Sequence, residues 1–168
     1  LQIGVEVYGG ALLNPWFDRD LSVAGRVSFL ERGKSLRSCL IDFSEPIAFI
    51  PSLAIHLDRD ANNNRSINSQ KDILPILMHL AGQSSMDFKS LLKEQLEQQH
   101  RLKEIDQVLD YDLVLYDTQR ASFVGRKQEF IASARLDNLL SCYSCLQAML
   151  YSNFKYPSLL IFNDHEEV

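Results

Sequence analysis

The sequence predicts an α/β plus β fold in which a β-rich part carrying helices is followed by the start of an α/β part. Three observations lead there. Short apolar stretches at close intervals, punctuated by Gly and Pro, fill the first fifty residues and suggest a small barrel or sandwich whose edge strands need partners or cover. Apolar residues at helical spacing follow in the middle of the chain. Beyond Gln119 a helical pattern leads into a continuous apolar run, the signature of a strand buried on both faces.

Taken in order, Ile3, Val5 and Val7 alternate with more polar neighbours and predict a strand closed by Gly9-Gly10. A second strand runs from Leu21 to Leu30. Gly33, between Arg32 and Lys34, supplies a hairpin-like turn, and Leu36 to Phe43 forms the returning strand. Ile47 to Ile50, bracketed by Pro46 and Pro51, reads as a third. Asp58 to Lys71 contains four Asn and almost nothing apolar, so it is expected as an exposed loop. Ile73, Leu74, Ile76, Leu77 and Leu80 lie on one face of an expected helix. Phe88, Leu91, Leu92 and Leu96 define another, opened by Ser84 and Asp87 in a capping arrangement. Ile105, Val108 and Leu109 suggest a short helix, and Leu113 to Tyr116 a strand. The character changes after Asp117-Thr118-Gln119, which places a domain boundary between residues 1–119 and 120–168. In the second part Leu136 to Leu150 has helical spacing, and Ser158 to Phe162 is the apolar strand.

Composition removes several classes of function. Seventeen Lys and Arg are scattered among 22 Asp and Glu for a net charge of −5, a poor match to nucleic-acid phosphates. Three Cys do not make a disulfide framework, so a reducing, cytoplasmic compartment is expected. No apolar run approaches the roughly 18 residues of a membrane span. The chain opens Leu1-Gln2-Ile3 without Met and stops at Val168 just after the apolar run, so a piece of a longer protein is expected.

Asp164-His165-Glu166-Glu167 is the strongest local cluster for chemistry. Ligands gather beyond the carboxyl ends of strands in open α/β sheets, and this segment follows the expected strand directly. Two adjacent Glu cannot face the same way, so one can hold a metal while the other takes a proton from water; a surface acidic turn is the alternative. Asp137 starts the second-part helix, either as an N-cap or as a carboxylate bridging two metals. Cys142 and Cys145 form a CxxC inside an apolar helical face and read as core packing, as does Cys39. His56, between Ile55 and Leu57, is either a satisfied buried histidine or a functional donor. His79 and His100 fall on expected helices without partners. Trp16-Phe17-Asp18-Arg19-Asp20 reads as a turn fixed by ion pairs.

Several segments in fixed order resemble the M18 family of metallopeptidases, the aspartyl aminopeptidases, over essentially the whole chain. They are Val5-Glu6-Val7-Tyr8-Gly9-Gly10, Trp16-Phe17-Asp18-Arg19-Asp20-Leu21 with Ala24-Gly25-Arg26-Val27, and Ile50-Pro51-Ser52-Leu53-Ala54-Ile55-His56-Leu57. Leu115-Tyr116-Asp117-Thr118-Gln119, Glu129-Phe130-Ile131, Ala134-Arg135-Leu136-Asp137-Asn138-Leu139 and Asp164-His165-Glu166-Glu167-Val168 complete the set. The resemblance implies a zinc exopeptidase fold, partial here, interrupted by an inserted β-rich, barrel-like dimerisation domain. It implies a two-zinc site acting on peptides with N-terminal, preferably acidic, residues. Asp137 then corresponds to the carboxylate bridging the zinc ions, Glu167 to a zinc ligand and Glu166 to the general base. His56 corresponds to a histidine that reaches a neighbouring subunit's site, and self-association into dimers and dodecamers is implied. The family's first histidine ligand, in an HxD motif, is expected before residue 1, and further Asp and His ligands after residue 168. The 168 residues alone are therefore expected to be inactive. A non-catalytic assembly or regulatory module is the alternative.

Overall fold

Leu21, Val23, Val27 and Phe29 lie on one face of strand β1 (Leu21–Glu31), and all four are buried. That period-two burial is what an apolar alternation produces on a half-covered sheet. The computed structural model to which β1 belongs describes residues 1–33, 36–82 and 86–163. Contacts divide the chain into two units, one made of Leu1–Val7 with Ala11–Thr118, the other of Tyr8–Gly10 with Gln119–Val168.

In the first unit, β1 turns at Gly33, whose φ of 68° is left-handed and costs a glycine little, and returns as β2 (Leu36–Asp42). The hairpin is antiparallel, with Leu30 opposite Leu36 and Ala24 opposite Asp42. Strand β3 (Ile105–Asp117) pairs antiparallel with the other side of β1, giving the order β2-β1-β3. This corrects the short helix expected at Ile105, Val108 and Leu109. Phe29 pairs with Val108 but Ser28 with Asp110, and Leu30 pairs with Gln107 but Glu31 with Ile105, so Leu109 and Asp106 are extra residues in the ladder. An inserted residue stretches the strand period from two to three, and Ile105 and Val108 both reach the core at a spacing that resembles a helix.

Helix α1 (Phe88–His100) covers this sheet. Asp87 caps it by accepting a hydrogen bond from the Lys89 backbone N–H at 3.2 Å, while Ser84 lies outside the described residues. Leu92 and Leu96, one turn apart, are fully buried against Val27, Phe29, Ile41, Ile105 and Val108. Each such leucine contributes about 1.5–3 kcal/mol through burial. Polar ties fix the far end of the helix to β2: Gln95 Nε2 donates to the Asp42 carbonyl at 2.9 Å, and the Asp42 N–H donates to Gln99 Oε1 at 3.0 Å. His100 also has a partner, contrary to expectation, since its Nε2 donates to the Leu40 carbonyl at 2.7 Å.

A second cluster of Leu21, Ala48, Ile50 and Ile73 is flanked by Val5, Val7, Trp16 and Phe17. Here the strand expected at residues 47–50 is present only as isolated bridges, Leu21 to Ala48, Phe49 to Ile76 and Phe17 to Ile50, and the one expected at residues 3–7 does not form, although the adjoining Gln2 bridges to Ile76. The helix expected at Ile73 to Leu80 does not form. Pro75 lacks the N–H a helix interior needs and disfavours a helical Leu74, so the segment runs extended, with Ile76 exchanging backbone bonds with Phe49. His79 is accordingly exposed on irregular chain rather than on a helix. Among the described residues no closed barrel forms: β2 and β3 are the two edges of an open sheet, and three strands are too few to curl shut.

The second unit contains a two-stranded antiparallel sheet, β4 (Ser122–Val124) with β5 (Phe130–Ala132), and helix α2 (Leu136–Leu150). Ser158 to Phe162 is not a strand in this structure, and Leu159 is 83% exposed. A parallel-type strand needs a neighbour for its backbone groups, and among the described residues none pairs with this run. The apolar face of α2 is likewise uncovered, so Cys142 is half-buried and Cys145 exposed rather than in a core. Cys39, by contrast, packs against the first cluster as expected.

Candidate active site

His56 stands in a turn at the tip of a loop that leaves the buried Ile50 at Pro51. The Leu57 and Asp58 N–H groups both donate to the Ala54 carbonyl, at 2.8 and 3.2 Å, folding the tip back on itself. The imidazole is exposed, which removes the buried-histidine alternative, and among the described residues it has no hydrogen-bond partner. Its neighbours Leu53, Ile55 and Leu57 are also exposed, Leu57 to 74%. A tip with apolar side chains around an unsatisfied donor is suited to contact rather than to solvent.

The base of this loop is tied to the Trp16–Asp20 turn, which follows a short 3-10 helix (Asn14–Trp16). Asp18 adopts a left-handed φ of 56°, which Asp tolerates better than most residues. Its Oδ1 accepts the Ser52 backbone N–H at 2.8 Å, while its own N–H donates to the Ile50 carbonyl at 2.8 Å. Hydrogen bonds from the Ser52 backbone, then from the Ser52 hydroxyl, hold the Asp18 carboxyl below the ordinary carboxylate range, and the Arg65 charge adds to this. Arg19 pairs with Asp117 at 2.6 Å and donates from Nε to the Pro15 carbonyl at 2.9 Å, so the turn is held by an ion pair as expected. On the other side of the loop, Arg65 Nε lies 3.5 Å from Asp58 Oδ2, and its guanidinium covers the Phe17 ring at 4.0 Å. Sequence reasoning missed Ser52 and Arg65. Both bonds cross segments that look like plain loop, and an Arg within an Asn-rich stretch is the sole trace of the second in the sequence.

Asp137 belongs to the other unit. It is not the N-cap: Arg135 occupies that position with a left-handed φ of 59°, and Asp137 has extended dihedrals of −84° and 117° within the first turn of α2. The Asp137–Asn138 peptide is cis. The Asp137 carboxylate is exposed and makes no hydrogen bond among the described residues, which leaves its oxygens available to a cation. Asn138 Oδ1 instead accepts from the Cys142 thiol at 3.1 Å. Glu166 and Glu167, with Asp164 and His165, lie outside the described residues. Among the described residues no group of three or more His, Cys, Asp or Glu gathers in a way that would hold a metal, so Asp137 is a single donor of the carboxylate kind zinc accepts. No helix among them is long and apolar enough to cross a membrane.

The chain matches the family described as aminopeptidase I zinc metalloprotease (M18) across residues 1–168. It is 58% identical over 168 residues to the "Probable M18 family aminopeptidase 2" of Pseudomonas entomophila (strain L48), covering 100% of this chain and 39% of that protein. Among solved structures it resembles Ape4, from a complex of Ape4 and Nbr1, with 35% identity and a TM-score of 0.75 over 88% of this chain and 31% of that one. It also resembles the S. cerevisiae mApe1 dodecamer, with 26% identity and a TM-score of 0.63 over 89% of this chain and 32% of that one. A family match along every residue, joined to a shared fold at such identities, decides the assignment: the chain belongs to the M18 family of aminopeptidase I zinc metalloproteases.

Proposed function

We propose that the protein to which this chain belongs is a zinc-dependent aminopeptidase that removes N-terminal residues, acidic ones by preference, from peptides. The observation that carries this reading is the family match over residues 1–168. Residues 1–119 serve in it as an inserted dimerisation domain and residues 120–168 as part of the catalytic domain. Asp137 would bridge two zinc ions and Glu167 would bind one of them; the exposed, unbonded carboxylate of Asp137 supports the first assignment. Zinc, held by these carboxylates together with ligands from the rest of the protein, would supply the Lewis acidity that activates water and polarises the scissile carbonyl. The Glu166 carboxylate accepts the proton from the attacking water and returns it to the departing amine, which needs it to leave. His56, on its exposed tip, donates to the substrate's developing oxyanion in a neighbouring subunit. The dodecameric state of the similar mApe1 supports self-association, first as dimers and then as dodecamers. Three free cysteines agree with a cytoplasmic location.

Glu166→Gln in the full-length protein tests the central assignment. Glutamine keeps the size of the side chain but cannot hold the proton, so zinc content should stay at the wild-type level while turnover on an N-terminal aspartyl peptide falls by about 100-fold or more. A near-normal rate would refute the base assignment.

A further inference from the structure

We propose that Asp18 and Arg65 are positioning residues that clamp the two ends of the loop carrying His56, an inference that rests on the role given to His56 above. The loop has an exposed tip and no regular structure of its own, so its direction is decided where it joins the rest of the unit. On the incoming side, Asp18 exchanges two bonds with the chain: its N–H reaches the Ile50 carbonyl and its Oδ1 accepts the Ser52 N–H, both at 2.8 Å. Those bonds straddle Pro51 and fix the direction in which the loop departs from the buried Ile50. On the outgoing side, Asp58 is held by Arg65 at 3.5 Å, and Arg65 is itself seated on Phe17, the residue before Asp18. One turn therefore holds both ends of the loop. Phe17 is anchored in turn, through its backbone bridge to Ile50 and its packing against the second cluster.

The Asp18–Ser52 anchor lies toward solvent, since both residues are exposed, whereas the Arg65 and Asp58 side chains are partly buried. Exposed polar bonds add little to global stability, whereas a small error in the direction of a reacting group is costly in rate. Turnover and folding should therefore respond separately. In the full-length protein, Asp18→Gly removes the acceptor and still tolerates the left-handed backbone. It should lower kcat on an N-terminal aspartyl peptide by about 10- to 100-fold, toward the level of His56→Phe, with little change in melting temperature. Asp18→Asn retains an acceptor oxygen for Ser52 and should restore most of the rate. Combined with His56→Phe, Asp18→Gly should cost nothing further, because the group it positions is gone. If Asp18→Gly does not fold, Arg65→Met, which keeps the stem on Phe17 but loses the pairing to Asp58, carries the same expectations for kcat and for its dependence on His56. A full rate in the folded variant, or a loss that persists undiminished without His56, overturns the clamp while leaving the role of His56 intact. A normal rate for His56→Phe itself overturns the role of His56, and the clamp with it.

Discussion

Tyr116 shows how one side chain ties two strands into the unit. Its hydroxyl donates to Asp42 Oδ1 at 2.6 Å, and the Ser44 N–H donates to the same oxygen at 2.8 Å, so the end of β2 is bound to the end of β3 across β1. Burial, then the hydrogen bond to Asp42, pushes the Tyr116 hydroxyl above its usual value of 10.0. A group whose pKa is raised on folding holds its proton more tightly in the folded state, so its stabilisation is complete below pH 10 and lost as pH rises through the raised value. Tyr116→Phe should cost about 1 kcal/mol at neutral pH and abolish this alkaline loss, as urea midpoints measured from pH 7 to 11 would show. An unchanged alkaline slope would contradict it. At this scale the sequence was an uneven guide. Arg19 and Asp18 were legible as a fixed turn because three charges alternate over Asp18-Arg19-Asp20, but the partner of Tyr116 is 74 residues away and leaves no local pattern.

Among the elements, β1, β2, α1 and α2 were legible because each carries a clean period or a cap. The misreadings share a cause, which is that an apolar spacing reports which residues face the core and not the backbone that brings them there. At Ile105 and Val108 two bulges made a strand look helical, and at Ile73 to Leu80 an extended segment satisfied a helical pattern that Pro75 forbids. Strand pairing also depends on Gly25, whose φ of 149° is one that side-chain-bearing residues rarely adopt. A Cβ there would fall on the Asp112 carbonyl oxygen and lie 2.8 Å from the Leu113 Cα, both backbone of the paired β3. Gly25→Ala should therefore destabilise the protein by about 1–3 kcal/mol, because no flexible side chain can move aside. Equilibrium unfolding in urea measures it, and a change within about 0.5 kcal/mol would show that the pairing can widen without cost.

At the scale of the whole molecule, the hairpin, the covering helix and the family resemblance could be read from sequence, whereas the open three-stranded sheet of the described residues could not. Barrel closure depends on which strands pair, and residues 48–50 make only isolated bridges while residues 3–7 make none. The sequence names Asp137, His56, Glu166 and Glu167 as candidates, the two glutamates lying outside the described residues; the ties that orient the His56 loop depend on tertiary proximity, which no local window contains. One arrangement in the first unit has a dynamic consequence. The clusters around Leu96 and around Ile50 line up along the same face of β1, and Gly25, between Val23 and Val27, puts no side chain between them. Side-chain packing is thus interrupted where the backbone ladder runs on, a layout that favours two cooperative blocks opening at different free energies. Native-state hydrogen exchange should find the amides of α1 and the adjoining half of β3 exchanging in one block, and those of Ala48, Phe49 and Ile76 in a second, less protected one. A single common opening energy for both would count against it. The loop proposed to carry His56 to a neighbouring subunit would then ride on the softer block, free to yield on contact while the helix-covered sheet stays closed.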